Sequence, residues 1–466
     1  MTVATLEPEL QSRGVAASPA ASEPPFWRRS TVFWLVLVGF VIRLAFLFAL
    51  HTYQTGRIDD YSIPSETTNV ATSIARGHGF SSALNGDPTG PTAWIPPGYA
   101  YFVALVFRVF GAMTLSSIIF IFVVQCLLSA LTVIPILGIA SRSAGMRAGW
   151  WAAWTWTLFP WFIKWSVTWL WDTSLSALLF TFLIWYAMRL PEASSRRSWI
   201  GFGALWGLTL LVNPSLATFF AISLAWCGYE LYRRKKAWLK PALLSVLACV
   251  VVISPWLARN RVVFGQWVFI RSDFGYGFAL GNYHSSFGRG WGGSDPTGNL
   301  IEFHKYWEMG EIAYVKSREK EAFQFVREYP REFIALTAKR VLYFWDGSSM
   351  NYRPRIPWYW MPWSYIVLSV LLLPALLVAL RKRLPAWSLF FGGFLLYPLP
   401  YYLTFTVTRY RHAIEPLMVL LICYAVVQAG GAVRAALRPR NTLQTNGTTG
   451  RPSVAIHPAS QSLPRF

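Results

Sequence analysis

Acidic side chains are scarce in this sequence. Its 466 residues hold 21 Asp and Glu against 42 Lys and Arg, and charged residues of both signs make up only 14%. A soluble domain carries about 25%, so the chain lacks the polar surface of a water-soluble fold. Cysteine is rare too. Cys126, Cys227, Cys249 and Cys423 each fall in an apolar run without CxxC or Cys/His spacing, which argues against a disulfide scaffold and a zinc motif. GxxxxGK[ST], HExxH and DxD are all missing, so a P-loop, a metalloprotease helix and the metal site of soluble sugar-nucleotide transferases have no basis here.

Apolar residues fill the space these absences leave. They make up 54% of the chain, with 25 Trp and 33 Phe, and the mean hydropathy is +0.38. The fold class expected is an all-α polytopic membrane protein of about ten transmembrane helices, its external loops carrying short amphipathic helices. The net charge of +21 follows from basic loops between apolar runs and does not call for a nucleic-acid partner. Apolar runs near the ~20 residues that a bilayer requires fall at 31–50, 115–140, 149–163, 170–190, 199–212, 214–232 and 238–258, then at 361–380, 386–406 and 412–432. Segment 97–111 is shorter, holds Arg108 and reads as a re-entrant or interfacial piece. The expected organisation is a disordered tail (1–25), a transmembrane catalytic module (26–258) with a first external loop (52–95), an external segment (259–358), C-terminal membrane helices (359–434) and a second disordered tail (435–466).

Charge sets the expected orientation. Short loops on one side carry Arg142, Arg189, Arg196 and the Arg233–Lys236 run, whereas those on the other carry only Lys164, Arg409 and Arg411. The first set belongs in the cytoplasm, which places both termini there and puts 52–95 and 259–358 outside. The two largest polar segments then share one working face.

The first external loop concentrates carboxylates: Asp59, Asp60 and Glu66 lie within eight residues. A carboxylate desolvated at a bilayer edge has a raised pKa and can act as a general base; a solvated acidic loop is the plainer reading. Val70, Ala71, Ile74 and Ala75 share one face of a helix that Gly77 and Gly79 stop. Glu66 sits in its first turn, where the dipole favours negative charge. Asp172 stands near the outer end of the fourth run, either facing the external site or capping that helix. Arg259, Arg261 and Arg271 follow the seventh run, and Arg409 and Arg411 precede the last. Arginine forks suit a lipid phosphate; the alternative is snorkelling to headgroups. Arg43, deep in the first run, is expected to pair within the bundle or to snorkel. Residues 319–344 carry two amphipathic stripes, suited either to a membrane surface or to the core of a small external domain.

Several stretches resemble bacterial glycosyltransferase family 39-like proteins of the C-type superfamily, whose relatives include protein O-mannosyltransferases and the lipid A aminoarabinose transferase. They are Glu66 with Ser73–Phe80, GPTAWIPPGYAYFVALVFRVFG (90–111), Ser254–Asn260, EAFQFVREYPREF (321–333), and Arg409–His412 before Glu415-Pro416. With the layout of apolar runs, the resemblance covers about residues 30–430. Relatives with an Asp-Glu pair differ from this chain, where Ser65 precedes Glu66. The catalytic acid therefore stays open among Asp59, Asp60 and Glu66, with Asp172 next.

The resemblance implies a membrane-bound hexosyl or pentosyl transferase. Its donor would be a polyprenyl-phosphate-linked sugar, its acceptor a glycan, lipid or protein of the cell envelope, and its site the external face of the bacterial inner membrane. No soluble cofactor or metal ligand is implied, and a divalent metal stays open. Two rivals are a polyprenyl-linked glycan flippase, which needs polar groups along the middle of the bundle, and a non-enzymatic envelope scaffold.

Overall fold

A computed structural model describes residues 26–54, 65–85, 88–193, 195–286, 295–347 and 363–437. Asp59 and Asp60 lie outside the described residues. Among the described residues no strand forms beyond an isolated bridge between Ser81 and Pro91, and the chain is an all-helical polytopic membrane protein.

The first part of the chain forms α1 (Phe26–Leu50), α2 (Glu66–Ala75), α3 (Pro97–Phe110), α4 (Leu115–Leu131), α5 (Val133–Arg142), α6 (Met146–Leu158), α7 (Pro160–Val167), α8 (Thr173–Arg189), α9 (Arg196–Val212), α10 (Ala217–Arg233) and α11 (Leu239–Phe264). Then come α12 (Phe274–Gly281), α13 (Leu300–Met309), α14 (Glu311–Glu328) and α15 (Pro330–Asp346). The last group is α16 (Trp363–Arg381), α17 (Trp387–Leu396), α18 (Leu399–Leu403), a 3₁₀ turn at Thr408–Ile414, and α19 (Glu415–Leu437). The described residues as far as Val427 form one compact unit.

Among the described residues six helical segments are long and apolar enough to cross a membrane: Ser30–Leu50, Leu115–Arg142, Thr173–Glu192, Leu239–Phe264, Trp363–Arg381 and Thr408–Arg434. The other apolar runs form shorter helices. Pro160 separates α6 from α7, and Pro398 lies between α17 and α18, because proline removes a helical N–H and crowds the preceding turn. The 97–111 run forms the 14-residue α3, too short at about 1.5 Å per residue to span a bilayer of about 30 Å.

Small residues bring the long helices together. A side chain on Gly203 or Gly207 of α9 would collide with the backbone of α11 at Ser245 or Cys249, and such close approach replaces the hydrophobic drive that membrane helices lack. Arg43 is wholly buried. It donates to Ser129 Oγ at 2.9 Å on α4 and to the Trp156 carbonyl at 3.1 Å on α6, so it pairs within the bundle and does not snorkel.

Two clasps hold the first loop against α11 and the segment that follows it. Arg259 of α11 donates to the carbonyls of Thr92 at 2.7 Å and Phe80 at 2.9 Å. Glu311, buried at the start of α14, accepts from the Ala93 amide and Ser272 Oγ, both at 2.7 Å, from Tyr306 Oη at 3.1 Å, and from Thr92 Oγ1. Burial pushes the Glu311 carboxyl up, and these four donors oppose it. The amphipathic stripes of 319–344 form the end of α14 and most of α15, divided at Pro330.

Candidate active site

Glu66 opens α2 because Ser65 caps the helix. Ser65 Oγ accepts from the Thr68 amide while Thr68 Oγ1 accepts from the Ser65 amide, a capping box that satisfies two orphan donors. Gly77, at φ +88°, turns the chain away just past the helix, a conformation glycine adopts without a Cβ penalty. Glu66 is thereby held half-buried at a helix N-terminus. Burial raises its carboxyl above the ordinary glutamate range, opposed by its own backbone amide and by Arg409 and Arg271, and reinforced by Asp295.

Asp172 immediately precedes α8 in the capping position, yet its carboxylate makes no cap to the backbone. It accepts instead from Ser176 Oγ at 2.6 Å, and Asn213 Nδ2 donates to that hydroxyl at 3.2 Å. Arg409 and Arg271 both act on Asp172, as they do on Glu66. Two carboxylates from distant parts of the sequence thus feel the charge of the same two guanidiniums.

Those guanidiniums are themselves placed by aromatic rings and backbone. Arg409 lies 4.1 Å from the ring centre of Trp171, 5.2 Å from that of Trp169 and 5.4 Å from that of Tyr410, a cation–π seating. Arg271 donates to the Trp94 carbonyl at 3.2 Å and is ion-paired with Asp273. Asp273 and Tyr410 stand out by no charge pattern of their own; only the fold brings them beside Arg271 and Arg409. Burial raises the Asp273 carboxyl, with Arg271 opposing it. Asp273 is ion-paired with Arg271, and the charge of Arg409 acts on both Glu66 and Asp172. Carboxylates lifted by burial near guanidiniums suit a site where one acid takes a proton while a cation holds an anion.

The other arginines expected at a phosphate site lie elsewhere. Arg259 clasps the first loop, and Arg261 is exposed and bonds the Gly265 carbonyl at the end of α11. Arg411 is fully buried. Its Nε donates to Glu415 Oε1 at 3.0 Å, and its Nη1 donates to Ser369 Oγ at 2.7 Å and the Tyr365 carbonyl at 3.1 Å. His412 Nδ1 lies 2.7 Å from Glu415 Oε2, and Trp161 Nε1 donates to Glu415 Oε1 at 3.1 Å. Arg409 and Arg411 are two residues apart in a helical turn, so they project about 200–240° apart: one into the acidic site, the other into the bundle. Among the described residues no group of three or more His, Cys, Asp or Glu side chains could hold a metal ion.

The fold is that of a multi-pass membrane protein, with a cluster of carboxylates and arginines assembled from its first loop, α8, the segment after α11 and the turn before α19. Its resemblance to lipid-phosphate-dependent membrane glycosyltransferases stands: residues 95–258 match the family model described as dolichyl-phosphate-mannose-protein mannosyltransferase. That match includes Asp172 and leaves Glu66, Arg271 and Arg409 outside it. Among curated proteins none matches the sequence. Similar solved structures include the Archaeoglobus fulgidus oligosaccharyltransferase tethered with an acceptor peptide, at 11% identity and a TM-score of 0.46 over 88% of this chain and 50% of that one. Another is ArnT from Cupriavidus metallidurans bound to undecaprenyl phosphate, at 14% identity and a TM-score of 0.39 over 89% of this chain and 80% of that one. The chain thus spans about half the length of the archaeal enzyme.

Proposed function

We propose that the chain transfers a sugar from a polyprenyl-phosphate donor to an acceptor hydroxyl at the external face of a bacterial inner membrane, with both termini cytoplasmic. The observation carrying this reading is that Glu66 and Asp172, half-buried at helix starts, both lie in the field of Arg271 and of Arg409, the latter seated on Trp171. Desolvation makes Glu66 a stronger base than a solvated carboxylate. In this reading Glu66 takes the acceptor's hydroxyl proton as its oxygen attacks the anomeric carbon. The bond from that carbon to the lipid phosphate breaks with inversion, and the phosphate leaves with the electron pair. Arg409, assisted by Arg271, holds that anion as its charge grows. Asp172 fixes the orientation of Arg409 and is the next candidate base.

The envelope acceptor, whether glycan, lipid or protein, and the choice of hexosyl or pentosyl donor belong to the same proposal. The buried charges Arg411, His412 and Glu415 are engaged with one another, which favours an enzyme over a flippase. The test uses the full-length chain in lipid, with undecaprenyl-phosphate-linked sugars as donors. Turnover is expected in the native protein and to collapse in Glu66→Gln with donor binding retained. Equal turnover in the two proteins would return the chain to a scaffold role or move the base to another acid.

A further inference from the structure

The helix α8 links two ends of the bundle. Asp172 precedes its first residue, and Arg189 is its last, about 25 Å away for 17 helical residues. At that far end two adjoining cavities open, and neither has a part in the transfer proposed above.

The larger, of about 580 Å³, is lined by Phe182 and Trp185 on its apolar side and by Arg142 and Arg189 on its charged side. Along α8, Phe182 lies seven residues before Arg189, about 10 Å deeper into the bundle. The cavity therefore changes from hydrocarbon to guanidinium along the helix axis. Arg189 is exposed, with its guanidinium 5.3 Å from the Trp185 ring centre. Arg142 is held by Glu192 and the Met188 carbonyl. The smaller cavity, of about 250 Å³, repeats the arrangement with different helices. Leu231 and Leu244 supply apolar wall; Arg196, Lys236 and Lys240 supply exposed cations. Ala193 lines both cavities, so the two basic rims are neighbours. Five cations stand against Glu192 alone in the two linings.

A site with cations at the membrane surface and hydrocarbon below matches a phospholipid standing in its leaflet. A free nucleotide would instead need polar groups at the deep end. Paired basic rims with a shared wall match two phosphates on one headgroup. We propose that these cavities form a binding site for an anionic phospholipid carrying two phosphates, Arg189 holding one and Arg196 with Lys240 the other, with acyl chains along Phe182 and Leu231.

The experiment titrates the full-length protein in detergent micelles with lipid and counts retained adducts by native mass spectrometry. The probes are cardiolipin, phosphatidylglycerol, phosphatidylcholine and undecaprenyl phosphate. The groove variant is R189Q/R196Q/K240Q. The control, R381Q/K382Q/R383Q, removes the same charge after α16; that helix starts beside the Arg411 turn, where Tyr365 contacts the Thr408 carbonyl, so its C-terminus lies at the same far end.

Cardiolipin is expected to bind the native protein and the control more tightly than phosphatidylglycerol, with phosphatidylcholine weakest. The groove variant should lose at least tenfold in cardiolipin affinity, since each cation near a lipid surface contributes roughly a fivefold factor. If that variant fails to purify, R196Q/K240Q, which changes exposed residues only, should still lose severalfold. Equal loss in the control would overturn the proposal in favour of diffuse charge attraction. Selective loss of undecaprenyl phosphate would overturn it in favour of a donor port.

Discussion

Arg409 and Arg411 share one turn but belong to two electrically different regions. Arg409 sits on the faces of Trp171 and Trp169, and its charge acts on both Glu66 and Asp172. Around Arg411, the carboxylate is engaged within the bundle: Glu415 meets Arg411, His412 and Trp161 together. Both regions are charged and removed from water, so burial of charge does not by itself mark a functional site. What separates them is how the arginine is held: Arg411 is ion-paired with Glu415, whereas Arg409 is seated on tryptophan rings. A guanidinium held by ring faces keeps its forked donors for a phosphate.

The sharpest way to break this comparison is at Glu66. Glu66→Gln keeps the size and removes the proton acceptor, and turnover should fall about 10²–10⁴-fold with little change in donor binding. Full turnover with collapse in Asp172→Asn would move the base to α8. Asp59→Asn and Asp60→Asn are expected to cost less than Glu66→Gln in the same assay.

On the other side of the comparison, Arg411→Met strands Glu415 in the bundle. Breaking a buried pair costs about 3–5 kcal/mol, so the folded yield and the Tm in detergent should fall. Activity per folded molecule is expected to be nearly native. A well-folded Arg411→Met protein with lost donor affinity would place Arg411 at the phosphate after all.

Arg409→Gln should lower turnover at least tenfold, since a charge pair lost from a desolvated site costs about 2–5 kcal/mol. Arg327→Ala, on the outer part of α14, should leave turnover unchanged. The pH profile adds a second reading. Arg409 holds the Glu66 carboxyl down against burial, so its loss raises that pKa further. The base form then disappears at a higher pH as solutions are acidified, and the acid limb of turnover should move upward. An unmoved limb would separate Arg409 from Glu66.

The smallest effect is expected at the Glu311 clasp. Glu311→Gln keeps the shape but leaves donors from Thr92, Ala93, Ser272 and Tyr306 without a full set of acceptors. An unsatisfied buried donor costs about 1–3 kcal/mol. The loss should appear as a modestly lower Tm and a higher KM with kcat nearly kept. Native values of both would remove the clasp from the positioning of Arg271.

Much of the fold was legible because helices and their breaks are local. The Glu66 start of α2, the Gly77 stop, the short α3 and the division of the amphipathic segment at Pro330 all follow from neighbours within a few residues. The number of spans was less legible. Proline breaks at 160 and 398 leave shorter helices where continuous runs were expected, and among the described residues six segments are long and apolar enough to span. In the site, Glu66, Asp172, Arg271 and Arg409 could be proposed from residue type and position along the apolar runs. Asp273, Tyr410 and Glu311 could not, because their roles depend on partners brought from far along the chain. Pairing Arg409 with Arg411 ignored the rotation between them, which sends adjacent alternate residues of a helical turn to opposite sides.

The clasps also set a timetable. Thr92 meets Glu311 across 219 positions of sequence. At about 5–20 residues per second of synthesis, the first loop waits roughly 10–40 s for its clasp, and longer for Arg409. During that interval the early helices can enter the membrane while the acidic loop lacks both its fastening and its counter-charge. A nascent chain halted before α14 would therefore be inserted with its carboxylates and arginines unassembled. The growing protein lacks the complete cluster until the turn before α19 has been made.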